Sequence, residues 1–577
     1  MQFRADRARI TVLGLLAGLL ALSLAARLHG IAWDGYAALH PDERHLFLVT
    51  RQIFDALRDP ANAGLGWADW WLSDQSPLNP HLGERSYVYG EAPLFAGALL
   101  GWVTGATDWF AFIPVARVAS AVVDTATVLA VFLGARLVST DRTALVAATL
   151  YAVMPTALQL ANFHTVDVWL SFATAATLVP LIALVTGRTG RVPAVALWAV
   201  AGAFLGLAVA CKVTGVLLGL PALLALGLAH RRHRDWRQSG AALAALGLAA
   251  LGAFRVLDPF AFAGTAWLGL APSGDWIADF RQLAAVTASP DFPPNWQWMA
   301  GYGALALARD SLLFGCGPVA LLVLAGLRRR DLGGPALILI ATIAAFVLLM
   351  GLSSVSALRY GAPALAALAM LAAPVTPRLG RAGTLAVIVA AVWWGSGTLR
   401  LHDGAHPRIE ASLWLWQRPP GTVLTNETAW DDTLPTLVRL TPDGPFLWPT
   451  QDDRFRFLDL DITAPDSAEK ADRIATLLGE TGLLILSSDR QSAVMPRLPR
   501  RFPMTAAHYA ALDQGLACFA PAFERRRGYP LPLMPFDDSW AQEPWRVYDH
   551  PVVRIFRRQP CYQTEVYRAF LMRFVPQ

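Results

Sequence analysis

Residues 92–107 read APLFAGALLGWVTGAT, and whether this stretch crosses a bilayer decides how the rest of the chain is threaded. It is apolar, short and glycine-rich. A bilayer core about 30 Å thick needs roughly 20 apolar residues per helix. Candidate spans lie near residues 10–28, 114–136, 143–161, 166–186, 193–211, 213–229, 239–257, 311–327, 335–352, 357–374 and 382–400, about eleven helices by that length rule. Arginine clusters arbitrate the doubtful stretch. If 92–107 lies along the interface, then Arg4/Arg7/Arg9, Arg136/Arg142, Arg188/Arg191, RRHRDWR at 231–237, Arg328–Arg330 and Arg378/Arg381 all fall on one side. If it crosses, every later cluster moves opposite the first. Only the first arrangement satisfies the bias of Lys and Arg toward the cytoplasm, so 92–107 is expected to be an amphipathic or interfacial helix.

The composition agrees with a membrane protein bearing a soluble portion. Of 577 residues, 55% are hydrophobic and 16% charged, whereas soluble domains carry about 25% charged residues. The formal net charge is +5, and its grouping between apolar runs reads as topology and not as nucleic-acid binding. The apolar run at 10–28 is expected to stay as a first helix, since many spans follow it. The expected fold is an all-α polytopic membrane domain over 1–400, with outer loops 29–113 and 258–310, followed by a small extracytoplasmic α/β domain over 401–577. In that tail, TVLTN and LLILSSD read as strands, and DSAEKADRIATLLGE as a helix capped near Asp466 or Ser467. The N-terminus is expected in the cytoplasm.

This topology collects charged groups at outer helix ends. HPDE at 40–43 opens the first outer loop with Asp42 and Glu43 behind Pro41. A plain structural reading is a helix start, since Pro suits the first turn and acids suit the helix dipole. Others lie at the same depth: His164 and Asp167 before the fourth span, Lys212 between the fifth and sixth, Arg359 and Tyr360 at the tenth, Arg117 entering the second and Arg255 leaving the seventh. Such cations often snorkel, but ionisable groups in apolar spans are costly and default to functional candidates. A cationic cluster can hold a lipid phosphate, and a nearby carboxylate can deprotonate an attacking hydroxyl. Those are the two needs of inverting glycosyl transfer from a lipid-phosphate sugar.

At these residues the chain resembles the GT-C membrane glycosyltransferases, in the branch of protein O-mannosyltransferases and aminoarabinose transferases. The matching pieces are HPDE, YVYGEAPLF at 87–95, FHTVD at 163–167, CKVTG at 211–215 and LRYGAP at 358–363. The resemblance implies a polyprenyl-phosphate sugar donor and a glycan, lipid or protein acceptor. It implies Asp42 as the acceptor-binding base, Glu43 as its partner and Asp167 as the acid of the second outer loop. Arg117, Lys212 and Arg359 would contact phosphate, with Tyr360 and His164 beside them. Where the family carries Lys after its Glu, this chain has Glu91-Ala92-Pro93, so Glu91 is either an extra acid facing the site or displaced by one register. In the tail, NETAWDDTLP (426–435), LPRRFPMTAAHYAALDQG (498–515) and EPWRVYDHPVVRIFRR (543–558) resemble family-39-like glycosyltransferases.

Other signals stay open. His40, His45 and His164 with Asp42, Glu43 and Asp167 could form a divalent-metal site. Cys518 and Cys561 could bond in an oxidising compartment. The stretch DFPPNWQWM at 291–299 reads as an interfacial aromatic belt, or as a lid or sugar platform. The alternatives to an enzyme are a polyprenyl-lipid transporter and a non-catalytic scaffold. Transporters place charges near mid-membrane and often have repeated halves; here the charges are expected at outer ends.

Overall fold

The computed structural model describes residues 2–82, 87–264, 266–427, 438–441, 444–447 and 454–576, with backbone alone for 2–9 and for 438–447. Residues 428–435 of NETAWDDTLP, including Thr428 of the Asn426-Glu427-Thr428 tripeptide, lie outside the described residues. The chain divides into two compact units. One comprises 1–31, 45–285 and 308–399; the other comprises 32–44, 286–307 and 400–577. Residues 32–44 and 286–307, expected as outer loops of the membrane domain, thus group with the tail.

The first unit is a helical bundle. Among the described residues, 8 helices are long and apolar enough to cross a membrane, or up to 10 if each of two bent pairs is one span. The difference from eleven has three local causes. Asp141–Ala152 and Pro155–Ala161 bend by 62° at the residues before Pro155, where proline cannot continue the backbone ladder. Ala304–Cys316 and Val319–Gly326 turn by 109° around Gly317 and Pro318, and Gly317 has a positive φ of 60°. Leu358–Ala372 is one of the shorter apolar helices; at 1.5 Å per residue it reaches only about 22 Å. Small residues let the long helices approach. A Cβ on Gly202 would lie 2.2 Å from the Leu246 carbonyl oxygen, and one on Gly206 2.2 Å from that of Ala250. This is the close packing that small residues four apart allow between Ala194–Cys211 and Trp236–Leu257.

The deciding stretch forms the helix Glu91–Thr104, ended by left-handed Gly105. Its 14 residues extend about 21 Å, too short to cross. It is not amphipathic in the expected sense. Its outward residues are apolar, with Leu99, Trp102 and Val103 exposed. Its inner face carries Gly97 and Gly101, where a Cβ would stand 2.9 Å from His164 Nε2 and 2.8 Å from the Phe54 ring.

One charge lies where none was expected. Asp124 sits mid-way along Trp109–Val138 and is buried. Its Oδ2 accepts from Arg27 Nε at 2.5 Å and its Oδ1 from the Tyr151 hydroxyl at 2.7 Å. Arg27 also donates to Ser23 Oγ and to the Ala152 carbonyl. Arg27 Nη2 stands in an ion pair with the same Asp124 oxygen, so the two buried charges offset each other, as burial requires.

The second unit is built on a five-stranded sheet. With strands β1 (Val423–Glu427), β2 (Val438–Thr441), β3 (Gly444–Leu447), β4 (Arg456–Leu460), β5 (Leu483–Leu486), β6 (Phe519–Arg525) and β7 (Val553–Arg558), its order is β4-β1-β5-β7-β6. β1 pairs in parallel with β4 and β5, β7 runs antiparallel to β5 and β6, and β2 and β3 form a separate hairpin. The helix Ala468–Glu480 is capped by Ser467, whose Oγ accepts from Lys470 N. Asp466 instead accepts from Met504 N and Thr505 N, at the start of helix Pro503–Asp513. Trp296 is no belt residue. It is buried against Phe502, and its Nε1 donates to the Pro290 carbonyl.

Cys518 and Cys561 form a disulfide that closes a separation of 43 residues. Chain entropy gives such a crosslink about 4 kcal/mol. Cys518→Ala should therefore lower the unfolding free energy of the tail by about that amount. Denaturant melts of reduced and oxidised wild-type protein provide the check, and superimposable curves would refute the expectation.

Candidate active site

Two glycines of the quoted motifs set the site of the first unit. A Cβ on Gly90 would lie 2.1 Å from the Ala210 carbonyl oxygen, and one on Gly215 2.3 Å from the Ala208 carbonyl carbon. No side chain fits at either place, so YGE and CKVTG both press on the last turn of helix Ala194–Cys211. Gly90 N also donates to the Cys211 carbonyl at 3.0 Å. Lys212, which ends that helix in an extended conformation, is thereby aimed from a fixed backbone.

Lys212 Nζ donates to Asp167 Oδ1 at 2.8 Å. Asp167 lies in the first turn of Val166–Thr186, where the helix dipole favours a carboxylate. Its second oxygen, Oδ2, is buried and has no hydrogen-bond partner among the described residues. Lys212 Nζ also lies 4.8 Å from the centre of the Tyr360 ring, and the Arg359 guanidinium lies 5.8 Å from the same ring. Asp167, Lys212, Arg359 and Tyr360 are therefore brought together, with Lys212 half-buried and Asp167 buried. The short turn Leu358–Gly361 presents the last two.

His164 and Arg117 are also buried. His164 Nδ1 is 3.3 Å from Ser120 Oγ, and burial pushes its pKa down to about 4, so the ring is neutral at pH 7. Arg117 Nη1 donates to the Ile31 carbonyl at 2.7 Å.

Glu91 joins a second polar cluster. Its Oε2 accepts from Phe260 N at 3.2 Å, and its Oε1 lies 3.4 Å from His81 Nε2. His81 Nδ1 is 2.6 Å from Asp279 Oδ2, which also accepts from Tyr87 N. Burial raises the pKa of Glu91 to about 8, and burial with the neighbouring Glu91 carboxylate raises that of Asp258. The Glu91 carboxyl thus retains at neutral pH a proton that water would remove. His81, Asp258 and Asp279 escaped sequence reasoning; the one signal was an acid directly behind the Arg255 span, in FRVLDPF.

The sign of the Glu91 shift makes a prediction. Between the ordinary value of 4.5 and about 8, the folded chain holds a proton that the unfolded chain has released. The resulting stability is full below pH 4.5 and is lost as pH rises through 8. Melting curves from pH 5 to 8.5 should fall more steeply with pH for wild type than for Glu91→Gln; parallel slopes would contradict this.

In the second unit, Asp42 and Glu43 occupy the first turn of helix Pro41–Arg58 and are buried. Asp42 N donates to His40 Nδ1 at 3.2 Å, and the His40 ring lies 4.2 Å from that of Tyr548. The approach to this turn is strained, since Tyr36 and Ala38 have φ of 59° and 49°. Asp34 holds it by accepting from Tyr36 N and Leu39 N. Non-glycine residues in this region cost about 1–3 kcal/mol each and cluster at functional segments. Among the described residues, no group of three or more His, Cys, Asp or Glu side chains could hold a metal ion.

Fold and site together define a polytopic membrane protein with an acid- and cation-bearing cluster at its helix ends. Residues 104–256 match the family model described as dolichyl-phosphate-mannose-protein mannosyltransferase, a stretch holding Arg117, His164, Asp167 and Lys212. The match supports the glycosyltransferase resemblance drawn from the motifs. No curated protein matches the chain. Similar solved structures include ArnT from Cupriavidus metallidurans in the apo state, 16% identical over 84% of this chain and 95% of that one, with a TM-score of 0.47. The archaeal oligosaccharyltransferase AglB from Archaeoglobus fulgidus is 14% identical over 92% and 75%, with a TM-score of 0.45. The S. cerevisiae protein O-mannosyltransferase Pmt1-Pmt2 complex is 19% identical over 49% and 36%, with a TM-score of 0.34.

Proposed function

We propose that this chain transfers a sugar, with inversion, from a polyprenyl-phosphate donor to an acceptor hydroxyl at the outer face of the cytoplasmic membrane. The observation that carries the reading is the Asp167–Lys212 pair beside Tyr360 and Arg359, which offers two cations and a buried carboxylate oxygen lacking a partner. In this reading Asp42 takes the proton of the acceptor hydroxyl as its oxygen bonds to the anomeric carbon. The bond from that carbon to the donor phosphate breaks, and polyprenyl phosphate leaves. Lys212 and Arg359 offset the charge that develops on the leaving phosphate. Asp167 orients Lys212, Glu43 supports Asp42, and neutral His164, Arg117 and Glu91 shape the binding surface. The N-terminus is cytoplasmic and the disulfide-bearing tail extracytoplasmic, as supported by the arginine clusters and the Cys518–Cys561 bond.

The transport alternative draws on mid-membrane charge. Asp124 is such a charge, but Arg27 and Tyr151 fully engage it. The test uses full-length protein in detergent with polyprenyl-phosphate-linked hexose and pentose donors and alcohol acceptors. Release of polyprenyl phosphate with an inverted glycoside, followed by NMR of the product, is the expected result. A product with retained configuration, or no release from any donor, would overturn the reading.

A further inference from the structure

The end of the bundle remote from Lys212 holds a large polar-rimmed cavity that sugar transfer does not use. Its volume is about 1230 Å³. Arg136, Arg142 and Arg381 line it, against one acid, Asp141. Arg117 and Arg136 lie on one helix, Trp109–Val138, 19 residues apart in number. That places Arg136 about 28 Å along the axis from Arg117, close to the thickness of a bilayer core.

The three arginines are not equivalent. Arg136 Nε pairs with Asp141 Oδ1 at 2.7 Å. Arg142 and Arg381 have no ion pair among the described residues. Two neighbouring arginines at this end are by contrast engaged by the fold. Arg378 pairs with Asp331 and donates to the Gly326 carbonyl, and Arg188 donates to the carbonyls of Arg136 and Leu137. Positive charge therefore accumulates in the cavity, where helix Asp141–Ala152 also begins behind its Thr140 cap. The other wall is apolar: Val12, Val146, Leu385 and Ile388 continue the lining beyond the arginine rim, with Leu385 exposed.

We infer that this cavity binds one anionic phospholipid of the leaflet opposite the proposed donor site, its phosphate between Arg142 and Arg381 and an acyl chain along Leu385 and Ile388. Charge complementarity selects an anionic headgroup, as basic pockets between helices on the cytoplasmic side do. The apolar wall selects a lipid over a free phosphate, which would leave that wall uncovered. The inference rests on the membrane-spanning reading but not on sugar transfer, and its readout is independent of turnover.

The experiment loads the full chain in detergent micelles with dioleoylphosphatidylglycerol or dioleoylphosphatidylcholine and counts retained lipid by native mass spectrometry. Wild type should retain one phosphatidylglycerol per chain in preference to phosphatidylcholine. Arg142→Gln/Arg381→Gln, which breaks no ion pair, should weaken that retention by about tenfold or more, as two lost charges near an anionic headgroup imply. Arg142→Lys/Arg381→Lys should keep most of it. Ile388→Asp, which spoils the apolar wall and leaves the arginines, should weaken it too. Equal retention by wild type and the Gln variant would overturn the inference, as would equal uptake of the two lipids by wild type. Displacement of the lipid by millimolar inorganic phosphate would also overturn it, because the site would then recognise phosphate alone.

Discussion

Asp42→Asn should lower sugar transfer by about 10²–10⁴-fold, the range typical of a positioned general base. The substitution keeps the size of the side chain and removes its ability to accept a proton. Asp42 is buried in a helix first turn, its backbone N–H is satisfied by His40, and Tyr36 and Ala38 hold strained φ angles just before it. Such a segment is over-determined by its surroundings, so the variant should fold with a near-native melting temperature. The measurement is kcat and KM with a polyprenyl-phosphate sugar, across pH. The loss should fall on kcat. Lys212→Met is the contrasting variant: it removes a cation from the leaving-group side and strands the buried Asp167 carboxylate. It should lose both turnover and stability. Equal turnover of wild type and Asp42→Asn would end the role given to Asp42.

Asp124→Leu should destabilise the bundle by about 3–5 kcal/mol, because it leaves the Arg27 guanidinium buried without its counter-charge. Tyr151 loses its acceptor in the same variant. The double variant Arg27→Met/Asp124→Leu should recover much of that loss, since replacing both members of a buried pair by apolar residues is often neutral or stabilising. Unfolding midpoints in mixed micelles of increasing SDS fraction give the comparison, and the four proteins form a thermodynamic cycle. If the double variant is as unstable as the sum of the two single ones, the residues do not act as a pair and the structural account of Asp124 fails.

Much of the membrane unit was legible in the sequence because apolar length is a one-dimensional property. Burying a backbone in lipid demands a continuous helix of about 20 residues, and that demand is written into each span separately. The short Glu91–Thr104 helix was likewise decided by length and by the arginine clusters. The strands at 423–427 and 483–486 and the helix at 468–480 followed from local periodicity. What failed were the breaks: Pro155 and Gly317-Pro318 bend segments whose composition still reads as straight spans.

The sequence by itself determined where most of the apolar helices lie, though not where they break, and it placed Asp167, Lys212, Arg359 and Tyr360 at helix termini. Their meeting within one cluster was decided by tertiary contacts, through glycines at 90 and 215 that admit backbone against backbone. The same holds for Glu91, whose partners His81, Asp258 and Phe260 lie up to 169 residues away. Trp296 became a core residue of the second unit for the same reason. Helix formation answers to neighbours three or four residues apart, whereas the satisfaction of a buried charge answers to whichever distant group the packing delivers.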